Sequence, residues 1–439
     1  MKQRIQDKDP LYTFLKIFVD WSVRSSYRKY QVEGTENIPT DGSVIWAANH
    51  TNALMDPMVL LATSRGRKVF VARADIFKKK WARKALYFLR VMPIYRIRDG
   101  INAVKHNDES IAQATSVVLD GVPFVIYPEA THRAKHSLLK LSKGIFHIAE
   151  SVMANSKDGK PVYVLPIGIE YSDYFRFHNN VLIKFGKPFN VSEFISQHAD
   201  EPQPVVMLKM REMLYEKLAQ EIVFVPDDED YDAIWEYAKL KSDNPDYFRS
   251  TLKEIESREG KKLKGLLGKQ AVDKEAVAQA LALRENNPEE ARELFASVDS
   301  LRLWRIQNGI SVYSIANDQS GFIVFLKALL MLLGLPYYLF CAVVGMIKWI
   351  PTTLILRNVK DDAFYNTVRY GVRLGFAIPA LIVWTLVFFL CFSWKIALAL
   401  LVLSLPSLKY LYDFGSFSRR VISDIRWKFR KKRAPKSDF

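Results

Sequence analysis

Short β-rich runs alternate with helical stretches between about residue 30 and residue 192, and this alternation restricts the fold more than any other feature. The predicted strands are 43–47, 68–72, 91–95, 122–126, 162–169 and 180–185, and the predicted helices are 57–64, 81–89, 102–119 and 143–154. Strands separated by helical patterns are typical of α/β folds. We therefore predict an α/β domain at residues 31–202.

Two long apolar stretches follow, at 322–350 and 374–411. One membrane span needs about 20 apolar residues, so we predict membrane segments within 321–411. The first stretch contains Gly334-Leu335-Pro336 and fits either one span or a segment that re-enters the same face. The second is long enough for two short spans.

Basic residues favour one arrangement of these segments. The tail, 412–439, and the loop, 348–373, are both rich in Lys and Arg. The positive-inside rule then places both segments in the cytoplasm. This favours a re-entrant first segment, a helical hairpin second, and a catalytic domain on the cytoplasmic face.

Two further regions complete the organisation. Residues 1–30 contain an amphipathic pattern whose apolar positions are Leu11, Phe14, Leu15, Phe18 and Trp21. This pattern fits a helix at a membrane interface or one packed on its own domain. Residues 203–320 form a charged helical region in which we find no catalytic constellation.

The net charge of +16, from 63 basic and 47 acidic residues, implies an anionic partner. Nucleic acid, an acidic membrane surface and a phosphorylated substrate all qualify. The charge is concentrated in the tail and juxtamembrane segments, which favours lipid headgroups, and no nucleic-acid motif is present. The two cysteines, Cys341 and Cys391, exclude a disulfide framework and a thiolate metal site.

A predicted strand ends at Ala47-Ala48-Asn49-His50, and Asp56-Pro57 follows as a helix-start signal. We expect Asp56 to be the N-cap and Pro57 the first helical residue. His50 and Asp56 meet only if the intervening loop folds. If they meet, the carboxylate fixes the imidazole tautomer and leaves the other nitrogen as a general base.

Three more stretches place polar or unusual residues on strands. Arg96 and Arg98 follow one strand and form a plausible phosphate fork. Glu129, Thr131, His132 and Arg133 follow another. Pro166 lies inside an apolar strand, which indicates an edge strand or a bulge. Because ligands bind at the carboxyl ends of strands in open α/β sheets, the polar stretches can converge on one site.

Together these motifs resemble the glycerolipid acyltransferase family, which transfers acyl chains to glycerol-3-phosphate, lysophosphatidate and related lysolipids. The resemblance covers roughly residues 30–190. It begins with Val32-Glu33-Gly34-Thr35-Glu36-Asn37-Ile38-Pro39, continues through Asn49-His50 and Asp56-Pro57, and includes the stretches around Arg96, Glu129 and Pro166. It implies a mixed sheet flanked by helices.

The resemblance also implies roles for these residues. His50 would be the catalytic base and Asp56 the carboxylate that orients it. Arg96, with Arg98 or Arg133, would bind the phosphate of the acceptor, and Glu129 would help to hold the acceptor. Pro166 falls on the motif linked to the acyl donor, and Thr131 is either a turn residue or a ligand contact. No metal and no cofactor is expected, and the co-substrate would be an acyl-CoA or acyl carrier protein thioester.

Three positions depart from the family pattern. Five residues, not four, separate His50 from Asp56, Ala130 replaces the usual Gly, and Tyr127 replaces the usual Phe. The wider spacing resembles the fungal-type glycerol-3-phosphate acyltransferase branch.

Three functional hypotheses follow. The first is a membrane-associated O-acyltransferase of phospholipid biosynthesis acting on glycerol-3-phosphate. The second changes the acceptor to lysophosphatidate or another lysophospholipid. The third is non-enzymatic: a basic membrane scaffold or a nucleic-acid binder. Purely structural roles also stay open: Asp56 as a helix cap only, Arg96 as a surface charge, and Glu129 as an ion-pair partner of Arg96. We interpret His132 and His136 as bystanders.

Overall fold

The computed structural model describes residues 4–95 and 101–435, with the backbone alone at 101–106. The chain forms two compact units. One comprises Met1–Phe175 with Asn179–Ile222, and the other comprises Arg176–His178 with Val223–Phe439. The candidate site lies in the first unit.

The first unit is built on a sheet of eight strands within the described residues. These are β1 (Lys29–Glu33), β2 (Ser43–Ala48), β3 (Val69–Arg73), β4 (Val91–Ile94), β5 (Phe124–Ile126), β6 (Val162–Tyr171), β7 (Asn180–Phe185) and β8 (Phe189–Asn190). They lie in the order β1-β7-β6-β2-β5-β3-β4, and β8 also pairs with β6. All pairs are parallel except those of β6 with β7 and β8. The predicted mixed sheet is therefore confirmed.

Helices flank this sheet. They are α1 (Pro10–Ser25), α2 (Met55–Leu61), α3 (Lys80–Phe88), α4 (Ile101–Leu119), α5 (Gly144–Asn155), α6 (Val191–Gln197) and α7 (Gln203–Glu221). Helices α5, α6 and α7 all pack on β6. Each helix predicted in this region is present, with its ends shifted by up to about three residues.

Two strands, β1 and β8, were not predicted from the sequence. Strand β1 has the sequence Lys-Tyr-Gln-Val-Glu and, among the strands that the structure describes, pairs with β7 alone, at the edge of the sheet. An edge strand that stays partly solvated carries polar residues, so it lacks the apolar run by which buried strands are recognised.

The strands around β2 are buried on both faces and supply the core of the first unit. Ile45, Val125 and Val164 are fully buried on three neighbouring strands. In the parallel register Ala47 lies opposite Ile126 of β5. The carboxyl ends of β2 and β5 are therefore adjacent, and the segments that follow them start side by side.

Pro166 lies in β6, which is an interior strand, so the edge strand, one of the two predicted alternatives, is wrong. On one side Pro166 pairs with Ala47 of β2. On the other side its carbonyl accepts from the N–H of Gly186, in the gap between β7 and β8. Because the strand pairing is interrupted there, no neighbouring strand needs a hydrogen bond from the N–H that proline lacks.

The second unit is helical in the part that the structure describes. Its helices are α8 (Tyr231–Ser242), α9 (Pro245–Glu259), α10 (Leu266–Asn286), α11 (Pro288–Gln307), α12 (Val312–Asn317), α13 (Gly321–Leu356), α14 (Tyr365–Gly375), α15 (Ala377–Cys391), α16 (Trp394–Ser404) and α17 (Ser407–Arg430). Helices α8, α10 and α11 share one apolar core.

Helix α13 spans 36 residues and is, among the described residues, the one helix long and apolar enough to cross a membrane. It continues through Pro336 and Pro351 without reversing. A continuous helix of this length fits the span, and does not fit the re-entrant segment that the basic residues favoured. Freed backbone groups next to proline are tolerated in such helices when neighbouring groups satisfy them.

The second apolar stretch is divided between α15 and α16, each shorter than the roughly 20 residues that a single span needs. Helices α14 and α15 together are long and apolar enough to cross a membrane, and so are α16 and α17 together. Each pair is bent, by 50° and 52° respectively. The described residues therefore contain one candidate span, or up to three if each bent pair counts as one.

Candidate active site

His50 follows β2 at the carboxyl edge of the sheet, and the residue before it anchors the turn. The side chain of Asn49 accepts from the N–H of Ile169 at 2.7 Å and donates to the carbonyl of the same residue at 3.0 Å. A buried amide thus extends the β2–β6 pairing by one residue. This fixes the point at which the chain leaves the sheet.

His50 and Asp56 are in direct contact. His50 Nδ1 lies 2.7 Å from Asp56 Oδ2. The same oxygen accepts from the N–H groups of Thr51 and Asn52 at 2.7 and 2.8 Å, and Oδ1 accepts from the hydroxyl of Tyr171 at 2.8 Å. Asp56 is fully buried, yet four donors surround its carboxylate, which is what a buried charge requires.

Asp56 is not a helix N-cap, so that prediction is wrong. Helix α2 begins at Met55, its cap residue is Leu54, and that cap makes no side-chain hydrogen bond. Asp56 therefore lies inside the first turn, where its carboxylate faces the loop amides that precede the helix. The local sequence signal correctly predicted the start of a helix. It did not predict that the carboxylate accepts from loop amides and not from the amides of the helix.

The five residues between His50 and Asp56 are accommodated by a tight turn. The N–H of Met55 donates to the carbonyl of Asn52 at 2.8 Å, and Ala53 within that turn has a φ of 37°. A left-handed residue shortens the path, so the longer loop still brings the imidazole and the carboxylate together.

Glu129 holds the backbone of His50. Its Oε1 accepts from the N–H of His50 at 2.8 Å, and its Oε2 accepts from the N–H of Leu139 at 2.8 Å. The carbonyl of His50 in turn accepts from the N–H of Arg133 at 3.0 Å. Burial raises the pKa of Glu129 to about 6, although both amide hydrogen bonds and nearby His50 oppose that rise.

Aromatic rings frame the imidazole. The ring of Tyr127 stacks on His50 with centroids 4.4 Å apart, and His132 approaches edge-on at 5.5 Å. Burial, and secondarily the charge of Asp56, raise the pKa of Tyr127 well above its usual value, so this phenol stays neutral. His132, interpreted from sequence as a bystander, is thus a neighbour of His50.

Three residues that organise the site were not identified from sequence. Asn49 was noted only as part of the motif, and Tyr127 only as a departure from the family pattern. Tyr171 gave no signal, because it is 115 positions from Asp56 and approaches it only through the position of β6 in the sheet. Contacts between residues so far apart in the chain can be predicted only when the order of the strands in the sheet is known.

The remaining predicted residues are placed as follows. Thr131 is exposed in the turn after β5, and Arg133 in that turn donates from its side chain to the hydroxyl of Ser137 at 2.7 Å. Pro166 lies within the sheet on β6, beside β2. Arg96 and Arg98 lie outside the described residues. The structure therefore brings together His50, Asp56, Glu129 and the backbone of Arg133.

This arrangement is suited to general-base chemistry. Because Asp56 is surrounded by donors, we assign the proton of the imidazole to Nδ1, which leaves Nε2 as the acceptor. The His50 side chain is 17% exposed whereas Asp56 is 0% exposed. A substrate can reach the imidazole but not the carboxylate that orients it.

Residues 29–170 match the family model described as Acyltransferase. The match runs from β1 to β6, so His50, Asp56 and Glu129 all lie inside the matched region. Among solved structures, the chain is similar to the crystal structure of the 1-acyl-sn-glycerophosphate (LPA) acyltransferase, PlsC, from Thermotoga maritima. The sequence identity is 21%, the match covers 49% of this chain and 81% of that chain, and the TM-score is 0.36. A comparison with curated proteins found no match.

Proposed function

We propose that the chain transfers a fatty acyl group from a thioester donor to the hydroxyl of glycerol-3-phosphate at the membrane. The observation that carries this proposal is the contact between His50 and Asp56 at 2.7 Å, inside a domain that matches an acyltransferase family model. A glycerol hydroxyl is a poor nucleophile at neutral pH and needs a base within hydrogen-bond reach.

The proposed reaction is a single displacement. His50 Nε2 takes the proton of the acceptor hydroxyl as its oxygen attacks the thioester carbonyl carbon. The imidazolium that forms is stabilised by Asp56, which also holds the tautomer that started the reaction. The tetrahedral intermediate collapses, the carbon–sulfur bond breaks, and the imidazolium returns the proton to the departing thiolate. An ester and a free thiol result, and no acyl-enzyme forms.

We assign Glu129 a positioning role in this reaction. Its two oxygens hold two backbone amides, one of them that of His50, so its removal would act on the base through the main chain. The phosphate of the acceptor would be held by Arg96 with Arg98 or Arg133. Thr131, exposed in the same turn as Arg133, would add a hydroxyl contact. Pro166 would contribute to the region that receives the acyl donor.

The choice of glycerol-3-phosphate rests on the spacing between His50 and Asp56, and lysophosphatidate is the alternative acceptor. Acyl-CoA or acyl carrier protein would be the donor, and the site needs no other cofactor in this scheme. Helix α13 would anchor the chain in the bilayer. We place the catalytic domain on the cytoplasmic face together with the basic tail, which requires an even number of membrane crossings between them.

The test is acyl transfer by the membrane-embedded chain from labelled palmitoyl-CoA, with glycerol-3-phosphate and lysophosphatidate offered in parallel. We expect lysophosphatidate to form in the first reaction, and His50→Ala to abolish it. His147→Ala, which removes a half-exposed imidazole from α5, is the matched control and should retain full activity.

The outcomes separate the hypotheses. Product formed only from added lysophosphatidate would move the assignment to that acceptor and show that the loop spacing is uninformative. Transfer that survives in the His50→Ala protein would remove the proposed base. No product from either acceptor or from an acyl carrier protein donor would leave the scaffold hypothesis as the better one.

A further inference from the structure

A cluster of cations covers α3 and the residues just before it. This cluster, which we call the α3 basic surface, consists of Lys78, Lys79, Lys80, Arg83 and Lys84 around Trp81, and each of these six residues is exposed. Within the part of the chain that the structure describes, none of the five cations forms an ion pair. The nearest carboxylate in sequence, Asp75, is engaged by Arg73.

This surface is electrostatically unfavourable by itself. Lys79 with Arg83, and Lys80 with Lys84, are like charges four positions apart, which repel each other on a helix surface. Helix α3 has no fully buried side chain, so deep packing does not compensate. A layer of negative charge would relieve this repulsion, which indicates an anionic partner.

Exposed apolar side chains lie among the cations. Trp81 is 70% exposed, and Ile76 and Leu89 at the two ends of the same segment are each about half exposed. Tryptophan prefers the headgroup level of a bilayer, where an apolar ring and a polar N–H are both accommodated. Clustered Lys and Arg beside such a ring are the pattern expected for anionic lipid, and nucleic acid offers no apolar layer for Ile76 and Leu89.

Helix α1 adjoins this surface within the same unit. The ring of Tyr12 on α1 packs edge-on against Phe88 at the end of α3, with centroids 6.1 Å apart. Arg90, directly after α3, lies over the Tyr12 ring at 4.4 Å and donates to the carbonyls of Ile5 and Asp7 before α1. The start of α1 and the end of α3 are therefore in direct contact.

The outer face of α1 is strongly apolar. Its exposed large apolar residues are Leu11, Phe14, Leu15, Ile17, Phe18 and Trp21. An apolar face that inserts and a basic face that attracts headgroups are the two signals that together hold a domain on a bilayer. Helix α1 alone would bind neutral and anionic membranes similarly, whereas α3 would select anionic ones.

We propose that the α3 basic surface binds the headgroups of anionic phospholipids, with Trp81 at the headgroup level, and so holds the acyltransferase domain against negatively charged membranes. The proposal concerns a contact with lipid and does not depend on the acyl-transfer assignment. An acidic protein or a nucleic acid is the competing partner, and the test below includes both.

The test places a probe at the centre of the surface. Full-length protein carrying Trp81→Cys, in a background of Cys341→Ala and Cys391→Ala, is labelled with an environment-sensitive fluorophore and reconstituted in lipid nanodiscs. We expect a blue-shifted emission in discs that contain phosphatidylglycerol compared with discs of phosphatidylcholine alone. The shift should be lost at about 1 M salt, where the screening length falls to about 3 Å.

Charge variants identify the residues responsible. Lys79→Gln with Lys80→Gln and Lys84→Gln should abolish the shift that depends on phosphatidylglycerol. The matched control, Lys253→Gln with Lys261→Gln and Lys262→Gln, removes three exposed lysines of the second unit and should preserve it.

Two results would overturn the proposal. One is an emission that is the same in both kinds of disc, and the other is a shift that persists in the α3 triple variant. Binding of acyl carrier protein or duplex DNA through these lysines, without a response to lipid, would assign the surface to that partner instead. Because the readout is fluorescence, it stays interpretable if the chain proves inactive toward glycerol-3-phosphate.

Discussion

The carboxylate of Glu129 accepts a hydrogen bond from the backbone N–H of His50 at 2.8 Å, so the acid acts on the main chain of the proposed base. Its second oxygen accepts from Leu139, ten residues farther along the turn after β5. The two loops that carry the site are thereby joined by one buried side chain. This arrangement predicts how a change at Glu129 affects the reaction.

Glu129→Gln should lower kcat with little change in KM for the acceptor. Glutamine offers a single side-chain oxygen, so either His50 or Leu139 loses its acceptor and faces an NH₂ group. A buried amide without a partner costs about 1–3 kcal/mol, which corresponds to roughly a tenfold to hundredfold loss of rate if the misplacement is felt in the transition state.

Steady-state kinetics with varied acceptor concentration provide the measurement. Glu212→Gln, an exposed change on α7, is the control and should leave both constants unaltered. A large rise in KM for the acceptor at unchanged kcat would instead indicate that Glu129 contacts the acceptor directly, as the family resemblance implies.

The pKa of Glu129 also predicts a dependence of stability on pH. Burial raises this pKa from 4.5 to about 6, so the folded chain holds the proton more tightly than the unfolded chain does. The corresponding stability is fully present below about pH 4.5 and is lost as the pH rises through about 6. At about 1.36 kcal/mol per pKa unit the change amounts to about 2 kcal/mol.

Other groups titrate in the same window, so the useful quantity is the difference between the wild type and Glu129→Gln in free energy of unfolding. We expect this difference to fall by about 2 kcal/mol between pH 4 and pH 7, measured by denaturant titration of the detergent-solubilised chain. A difference that is constant or increases with pH would contradict a raised pKa.

The parts of the site that sequence predicted are those close together along the chain. His50 and Asp56 lie at the two ends of one short loop, which closes through a turn that includes the left-handed Ala53. The strands that meet at this edge were predictable because they are buried on both faces and read as apolar runs. The convergence of the segments after β2 and β5 followed from parallel pairing.

The contacts that could not be predicted from the sequence depend on the order of the strands in the sheet. Tyr171 reaches Asp56, and Asn49 reaches Ile169, only because β6 lies beside β2. Pro166 was expected at an edge or a bulge because proline cannot donate to a ladder, but it occupies an interior strand at a place where the pairing is interrupted. Local sequence rules predicted that Pro166 needs a position without a ladder hydrogen bond, but not where in the sheet that position lies.

Tyr171→Phe should weaken both the fold and the proposed reaction. The change removes the hydroxyl that donates to Asp56 Oδ1 at 2.8 Å, and hydrogen bonds to charged groups contribute about 1.5–3 kcal/mol. We expect a loss of stability of that size. We also expect a lower kcat at unchanged KM, because Asp56 would hold His50 less firmly.

The pH profile distinguishes positioning from simple destabilisation. If Tyr171 acts through Asp56, the acid limb of kcat should move in Tyr171→Phe, whereas a merely less stable protein keeps the wild-type profile. Tyr163→Phe is the control, since its hydroxyl comes from the same strand and makes a solvent-exposed hydrogen bond to Asp41. That variant should match the wild type in both measurements.

Ala130→Gly should stabilise the first unit. Ala130 has a φ of 56°, in the left-handed region where a β-carbon costs about 1–2 kcal/mol, and it follows Glu129 in the turn that holds His50. Glycine removes that cost but gives the unfolded chain more freedom, worth about 0.5–1 kcal/mol, so the net gain should be roughly 0.5–1 kcal/mol. Ala112→Gly, at an exposed position inside α4, lacks the strain and should lose about 1 kcal/mol instead. Thermal unfolding of the two variants beside the wild type provides the measurement, and a loss of stability in both would mean that the turn carries no strain at Ala130.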